Sequence, residues 1–328
     1  MVEGDSFPFS LVKEVSLLIP CVKVELLSTQ DYPNISSSVK NLFMIKEIPR
    51  NLPVAGRLRH FLRNWECLTQ DPQILKLVMG YRIPFLSLPA QTPYFPIKFS
   101  PEERSIIDEE VTQMIQKGAI KEVSPSEDQL LSPIFVVPKK DSGFRPVINL
   151  KHLNSHVEYL HFKMEGLHLL KDLLKPVDVM CKLDLKDAYF SVPFQESSQQ
   201  FVRFQWDHKI DQFLCLCFGL GPAPRIFTNL MKIPIAILRR LNMTLIIFLD
   251  DILLMATTEK ELFQGRDTLI FLLKSLGFLI NVKKSQLNPT QKIQFLGVNI
   301  DSIKMEASLP QEKLEKTDSQ CQDILERK

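Results

Sequence analysis

The stretch that decides the fold is Leu245-Ile-Ile-Phe-Leu-Asp250-Asp251-Ile-Leu-Leu-Met255, in which two adjacent acids interrupt an otherwise apolar run. Burying an ionised carboxylate without a partner is costly, and two neighbouring like charges are costlier, unless cations lie against them. The alternative is a solvent-exposed hairpin turn. Two-residue hairpin turns favour Asn-Gly or Asp-Gly, however, because a type I' turn needs positive φ at both central positions. The run therefore favours a metal ion bound by Asp250 and Asp251.

A third acid, Asp184, lies in a segment with the period-two alternation of a β-strand. One face carries apolar side chains and the other carries charged ones: Val179, Cys181, Leu183 and Leu185 against Lys182, Asp184 and Lys186. A strand pair would bring Asp184 beside Asp250; otherwise Asp184 is a solvated acid between two lysines. Three carboxylates suit Mg²⁺, and two such ions can clamp the attacking and leaving oxygens of a phosphoryl displacement. This is polymerase or nuclease chemistry.

Local signals place helices and strands around these segments. A capping box of Ser100 and Glu103, with Pro101 between them, predicts a helix that ends at Gly118. Residues 132–138 and 144–150 predict two strands joined by a hairpin turn. Further expected elements are two short helices within 53–81, a helix to Asn242 kinked at Pro234, a helix over about 259–276 that ends at Gly277, and strand-like pieces at 278–282 and 293–300.

Composition excludes several classes of protein. The 328 residues are 45% hydrophobic and 24% charged, which is typical of a globular protein rather than a disordered one. A net charge of +2 gives no global field that would attract nucleic acid. The six cysteines show no zinc-site spacing, which fits a reducing compartment. Neither a signal peptide nor a long apolar span is recognisable, so we expect an intracellular protein with no membrane partner, in the cytoplasm or the nucleus.

Three motifs, taken in order, carry a family resemblance. They are Lys182-Leu-Asp184-Leu-Lys-Asp187-Ala-Tyr189-Phe190, Phe218-Gly219-Leu-Gly-Pro-Ala223-Pro224-Arg-Ile-Phe227 and Phe248-Leu-Asp250-Asp251. Together they resemble the palm motifs of reverse transcriptases, over about residues 55–305. The resemblance is greatest to retrotransposons of the DIRS type, which encode a tyrosine recombinase, and it extends to gypsy-like elements. The DIRS-type similarity includes Gly56-Arg-Leu-Arg-His-Phe-Leu-Arg-Asn-Trp65.

This resemblance implies an α+β fold of the right-hand polymerase type. Fingers and palm would occupy residues 99–303, with an antiparallel palm sheet backed by helices. Residues 1–98 would form an N-terminal extension with short helices, and 304–328 a polar tail or the start of a thumb or connection. The thumb would be largely missing, and no RNase H, methyltransferase or recombinase region is recognisable.

The resemblance also assigns roles to single residues. Asp184, Asp250 and Asp251 would bind two Mg²⁺ ions, with Mn²⁺ as a possible substitute. Tyr189 would be the steric gate that excludes a ribose 2'-hydroxyl, with a core aromatic as the alternative. The residues implied to bind the dNTP are Lys139, Arg145, Asp187, Ala188, Tyr189, Phe218 and Gly219. The implied primer-grip hairpin is Phe295, Leu296 and Gly297. Lys139 and Arg145 suit phosphate oxygens, although a solvated basic turn is the alternative.

Some positions are open or depart from the family pattern. A lysine that protonates pyrophosphate would be Lys283 or Lys284, or neither. Phe248 stands where the family usually has tyrosine, which removes a hydroxyl but no metal ligand. Asn149 stands where many relatives carry an acid.

The function implied is RNA-directed DNA polymerisation, in which dNTPs are added to a primer 3'-hydroxyl on an RNA or DNA template. Other retroelement domains, such as RNase H or a recombinase, would be supplied separately. The alternative is a truncated, non-catalytic relic that only binds nucleic acid through phosphate contacts. An aspartic protease is disfavoured, because Asp141-Ser142-Gly143 lies among charged residues rather than between apolar strands.

Overall fold

The computed structural model describes residues 52–91, 97–138 and 144–311, and the side chains at 138, 144 and 145 lie outside this description. The helices are α1 (Leu62–Leu68), α2 (Pro72–Met79), α3 (Pro101–Gln116), α4 (Lys151–Ser155), α5 (Leu170–Leu173), α6 (Glu196–Gln199), α7 (Ala223–Arg240) and α8 (Glu259–Ser275). Short 3-10 turns occur at Arg57–Phe61, Leu167–Leu169 and Tyr189–Ser191.

The strands form four sheets and confirm the α+β class. They are β1 (Ile120–Val123), β2 (Leu131–Ser132), β3 (Ile134–Pro138), β4 (Phe144–Ile148), β5 (Val179–Lys186), β6 (Arg203–Trp206), β7 (Lys209–Phe213), β8 (Thr244–Phe248), β9 (Asp251–Ala256), β10 (Leu279–Ile280), β11 (Gln286–Thr290), β12 (Lys292–Phe295), β13 (Val298–Asp301) and β14 (Glu306–Ser308). No described helix is long and apolar enough to cross a membrane.

The central sheet has the order β10-β5-β9-β8, with β11 also paired to β5, and its pairings are antiparallel. Helix α8 packs on β9 and β5, and α7 contacts β8 and α8. Cys181, Leu183 and Leu185 are buried on the helix side, as the alternation of β5 predicts. Met180 is also fully buried, on the opposite face, so the polar face of β5 begins only at Lys182.

A second hydrophobic cluster explains why both faces near Met180 are covered. It joins Met180, Ile246, Leu253 and Met255 of the central sheet to Leu170 and Leu174, and to Ile293, Phe295 and Ile300 of the small sheet β12-β13-β14. The single strand-like piece that periodicity predicts at 293–300 was wrong, whereas the hairpin that the family resemblance implies at Phe295-Leu296-Gly297 is present. The chain reverses at Leu296 and Gly297, which both have positive φ, so β12 and β13 form a hairpin.

The region before the central sheet contains a second, smaller layer. Strands β1, β7, β6 and β2 form a mixed sheet, and β3 and β4 form the predicted antiparallel hairpin with Ile134 opposite Ile148. The predicted turn at 139–143 lies outside the described residues. The capping box is confirmed: Ser100 Oγ accepts from the Glu103 amide at 3.2 Å, and Glu103 Oε2 accepts from the Ser100 amide at 2.8 Å.

The segment Gly56–Trp65 docks on the core of the central sheet. Trp65 Nε1 donates to the Leu276 carbonyl at 3.0 Å, and Asn64 Nδ2 donates to the Ser275 carbonyl. Both carbonyls lie at the C-terminal end of α8, where helix carbonyls lack intrahelical partners. Gly56 N–H donates to Phe190 O at 2.7 Å. The helices before residue 98 share the large hydrophobic core of the central sheet. The domain boundary at residue 98 stays a prediction.

Candidate active site

The three predicted acids meet at one end of the central sheet. Strands β8 and β9 are joined by Leu249 and Asp250, and Asp251 begins β9 opposite Phe248. Asp184 on β5 is the register partner of Asp251, and the Leu185 amide donates to the Asp250 carbonyl at 2.9 Å. The acids thus lie at a two-residue hairpin turn. The preference of such turns for Asn-Gly or Asp-Gly, which argued against a turn here, therefore gave the wrong prediction. Leu249 adopts the left-handed conformation, with φ +54, that glycine or asparagine usually supplies.

The electrostatics of this turn favour a bound cation. Burial raises the pKa of Asp250, and the charge of Asp184 raises it further. Burial also raises the pKa of Asp251, with added repulsion from Asp250 and Asp184. The charge of Lys284 lowers the pKa of both acids, and the charge of Lys182 lowers that of Asp251. These charges offset only part of the increase caused by burial and repulsion.

The donor set fits Mg²⁺ in type but does not enclose an ion. All three acids supply oxygen, the ligand that Mg²⁺ prefers, and Mg²⁺ usually binds through one or two carboxylates plus water and substrate phosphates. Across the described ranges, no three His, Cys, Asp or Glu side chains are grouped closely enough to hold a metal by themselves. The remaining ligands would therefore come from outside these side chains.

Residues 281–285, in which the sequence had marked only the two lysines, also hold Asp184 in place. Ser285 Oγ accepts from the Asp184 amide at 3.0 Å and donates to the Asn281 carbonyl at 2.8 Å. The Asn281 amide in turn donates to the Asp184 carbonyl at 2.8 Å. The same turn carries Lys284, whose charge lowers the pKa of Asp250 and Asp251. Lys284, one of the two lysines left open, is thus close enough to influence the acids, and its role in proton transfer stays a prediction.

Tyr189 lies beside the acids in an aromatic cluster. Its ring is half-buried, with centroids 5.1 Å from Phe218 and 5.7 Å from Phe227. Burial raises the pKa of its phenol to about 12, and the Asp250 charge contributes. Tyr189 therefore packs against other aromatic rings and is also close enough to Asp250 for that charge to affect its pKa. The steric-gate prediction requires Tyr189 to lie near the acids in this way.

The loop that carries Phe218 and Gly219 is fixed by an amide side chain. Phe218 is 63% exposed, so its ring is available to a ligand. Gly219 has φ +91, and a Cβ there would lie 3.1 Å from the Ile148 carbonyl, so this position favours glycine. Asn154 on α4 donates to the Gly219 carbonyl and accepts from the Gly221 amide, both at 2.8 Å. Sequence reasoning missed Asn154, because the contact joins residues 65 positions apart.

The structure describes the other predicted site residues to different extents. Asp187 and Ala188 lie between β5 and the Tyr189 turn, with Ala188 buried. Arg145 is in β4 opposite Val137, but its side chain and all of Lys139 lie outside the described residues. Phe295 is fully buried in the second cluster. Of the three predicted primer-grip residues, only Leu296 and Gly297 therefore lie at the tip of the hairpin.

Comparisons with known proteins agree with this geometry. The family described as "Reverse transcriptase (RNA-dependent DNA polymerase)" matches residues 137–300, which is half of the chain. The "Enzymatic polyprotein" of figwort mosaic virus is 25% identical over 210 residues, which cover 63% of this chain and 30% of that protein. The "Transposon Tf2-3 polyprotein" of Schizosaccharomyces pombe is 23% identical over 221 residues, which cover 67% of this chain and 16% of that protein. The chain thus spans less than a third of either relative.

Solved structures similar to this one include those of a foamy viral protease-reverse transcriptase. The foamy viral protease-reverse transcriptase dRH in complex with double-stranded DNA has a TM-score of 0.62 at 19% identity, covering 83% of this chain and 50% of that one. The protein in complex with an RNA/DNA hybrid has a TM-score of 0.61 at 19% identity, covering 90% and 38%. These likenesses show the fold, a right-hand polymerase with fingers and palm. With half of its residues matched by the family, the chain belongs to the reverse transcriptases (RNA-dependent DNA polymerases).

Proposed function

We propose that this chain is the polymerase module of a retrotransposon and adds dNTPs to a primer 3'-hydroxyl on an RNA or DNA template. The observation that carries the proposal is the register pairing of Asp184 with Asp251, beside Asp250 in the adjoining turn. Nothing in a hairpin requires acids at these three positions, and their mutual repulsion is a cost to folding. Such a cost is typical of sites that serve chemistry rather than stability.

The residues of the chain would divide the work of a nucleotidyl transfer. Asp184, Asp250 and Asp251 would hold two Mg²⁺ ions, or Mn²⁺, which when bound neutralise charge on the phosphates and favour loss of the primer hydroxyl proton. The 3'-oxygen forms a bond to the α-phosphorus as the bond to the pyrophosphate oxygen breaks. Lys284, whose charge lowers the pKa of Asp250, would supply a proton to the leaving pyrophosphate.

The nucleotide itself would lie on the aromatic cluster. Phe218 and Gly219 would contact the base and sugar, and Tyr189 would exclude a 2'-hydroxyl by its bulk. Lys139 and Arg145 would bind the triphosphate, and the Asp187 and Ala188 backbone would complete its cradle. The Leu296–Gly297 turn of the β12–β13 hairpin would contact the primer backbone. Positioning and fixed charges supply most of the rate in such transfers.

The wider assignment rests on the relatives. The similar viral and transposon proteins are polyproteins, so RNase H or recombinase functions would come from other regions or other chains. The sequence resemblance of Gly56–Trp65 to DIRS-type elements supports that subtype. An intracellular location follows from the need for dNTPs.

The test is Mg²⁺-dependent dTTP incorporation on a poly(A) template with an oligo(dT) primer. Wild type is compared with the double variant Asp250→Asn/Asp251→Asn and with Asp128→Asn, an exposed acid remote from the site in sequence. We expect incorporation by wild type and Asp128→Asn only, with primer-template binding kept by all three. Binding that falls steeply with salt, without incorporation by wild type, would instead support a non-catalytic relic.

A further inference from the structure

Lys117 and Asp187 form a sheltered ion pair next to the nucleotide site. Lys117 Nζ lies 2.9 Å from Asp187 Oδ1, and the two side chains are only 25% and 16% exposed. By contrast, the Arg104–Asp207 and Lys209–Glu122 pairs have every side chain at least half exposed. Exposed pairs contribute little, whereas removing one partner of a sheltered pair leaves a charge without compensation. Loss of the Lys117 charge would therefore affect any conformation or contact that Asp187 maintains.

Asp187 holds an unfavourable backbone conformation. Its φ is +51, in the left-handed region that residues other than glycine adopt only when their surroundings require it. Its second oxygen, Oδ2, is buried and makes no hydrogen bond within the described part of the chain. Among those residues, the side-chain contact seen for this carboxylate is the one to Lys117. The ion pair is thus the observed interaction that can stabilise the strained residue.

Lys117 is itself anchored on three sides. It caps the C-terminal end of α3, where its amide donates to the Gln113 carbonyl at 3.0 Å. Its own carbonyl accepts from the Ala55 amide at 3.0 Å. Its ammonium lies 5.7 Å from the centroid of the Phe190 ring, within the range of a cation–π interaction. The ammonium is therefore a fixed point rather than the end of a mobile surface side chain.

The conformation of Asp187 is passed directly to Tyr189. Ala188 follows Asp187, and its carbonyl accepts from both the Ser191 amide, at 3.2 Å, and Ser191 Oγ, at 2.6 Å. The Val192 amide donates to the Tyr189 carbonyl at 3.1 Å. These bonds make the Tyr189–Ser191 turn a rigid unit attached to Asp187. A rotation at Asp187 would therefore move the Tyr189 ring against Phe218.

We propose that Lys117 is a positioning residue for sugar selectivity: its ion pair with Asp187 fixes the left-handed turn that places Tyr189 against the incoming nucleotide. The inference rests on the proposed function and deepens it. Lys117 touches neither nucleotide nor metal in this account. Its effect is exerted through Asp187 on the gate and on the backbone that would bind the triphosphate.

The experiment compares dTTP with UTP as substrates on poly(A)/oligo(dT) for wild type, Lys117→Met and Lys117→Arg. For Lys117→Met we expect the preference for dTTP over UTP to fall about tenfold and the KM for dTTP to rise by a similar factor, with kcat changed less, because the displaced turn would weaken triphosphate binding in the ground state and the transition state alike. Lys117→Arg keeps the cation and should restore most of the preference. Lys209→Met breaks the exposed Lys209–Glu122 pair at 3.0 Å between β7 and β1, and serves as the control with unchanged selectivity.

Urea unfolding of each variant separates a general loss of stability from a change at the gate. If Lys117→Met does not fold, Lys117→Gln takes its place, since it keeps a donor at similar length without the charge. Wild-type selectivity in a folded Lys117→Met or Lys117→Gln would overturn the inference and leave the proposed function standing. A wild type that incorporates no dTTP would overturn both together.

Discussion

Asp184 and Asp251 face each other as register partners on the antiparallel strands β5 and β9. Directly opposed residues project to the same face of a sheet with Cβ atoms about 4.5–5.5 Å apart, and like charges at such positions destabilise the pairing. Asp250 adds a third negative charge in the adjoining turn. Repulsion among these acids therefore lowers the stability of this end of the central sheet. Its size can be measured from the free energy of unfolding.

Replacing Asp251 by asparagine should separate stability from activity. The change removes a charge whose pKa is raised by burial and by Asp250, so the free energy of unfolding should rise by about 0.5–1 kcal/mol, as is common when an active-site charge is removed. Incorporation of dTTP should be lost. Urea unfolding and primer extension measure the two effects, with Asp128→Asn as control. A variant that is less stable than wild type would show that the acids do not repel one another.

Replacing Tyr189 should show whether its bulk selects the sugar. Tyr189→Val should raise ribonucleotide incorporation about ten- to a hundredfold, because a pocket that excludes a group by size loses that discrimination when emptied. It should also cost about 2–3 kcal/mol of stability, because the ring packs on Phe218 and Phe227. Tyr189→Phe keeps the ring and is the matched control. Selectivity altered equally by both variants would instead assign the effect to the hydroxyl.

Asn154 should control the nucleotide-pocket loop. Asn154→Ala removes two hydrogen bonds of 2.8 Å to Gly219 and Gly221, which should lower stability by about 1–2 kcal/mol. The KM for dTTP should rise more than kcat falls, because Phe218 loses its support. Steady-state kinetics measure this, and Asn288→Ala, at an exposed position on β11, serves as control. An unchanged KM would mean that the loop holds its conformation without the amide.

Asp178 should make the stability of the chain depend on pH. It is 3% exposed, Oδ1 has no hydrogen-bond partner in the described structure, and burial raises its pKa above 3.8. A folded-state pKa above the unfolded value means that Asp178 contributes stability below about pH 3.8, which is lost as pH rises through the folded pKa. Asp178→Asn should therefore gain stability over wild type as pH rises from 4 to 8. Urea midpoints across this range test it, and parallel curves would contradict it.

Local chemistry made much of this architecture predictable. The capping box of Ser100 and Glu103 determines where α3 begins, and the alternation from Cys181 to Lys186 places Asp184 away from the core. Both depend on residues close in sequence, where geometry follows from spacing. The order of the motifs then indicated which acids would meet.

The remaining features depend on contacts between distant residues. Ser285 supports Asp184 across 101 positions, and no pattern near Ser285 marks it. The burial of Met180 on the second face of β5 requires the β12–β13 hairpin, which periodicity alone predicted as one strand and only the family resemblance indicated. Leu249 occupies a left-handed position that local preference assigns to glycine or asparagine, because the surrounding sheet overrides that preference.

The docking of Trp65 and Asn64 on the end of α8 has a consequence for synthesis of the chain. Their acceptors, Leu276 and Ser275, are each 211 residues further along. At about 5–20 residues per second, a ribosome needs on the order of ten to forty seconds to make that stretch. Throughout that interval Phe61 and Trp65, both buried in the finished protein, lack Gly277 and Phe278, which cover them just beyond the end of α8. The unfinished chain should therefore expose more apolar surface, and be more prone to aggregation, until α8 has been translated.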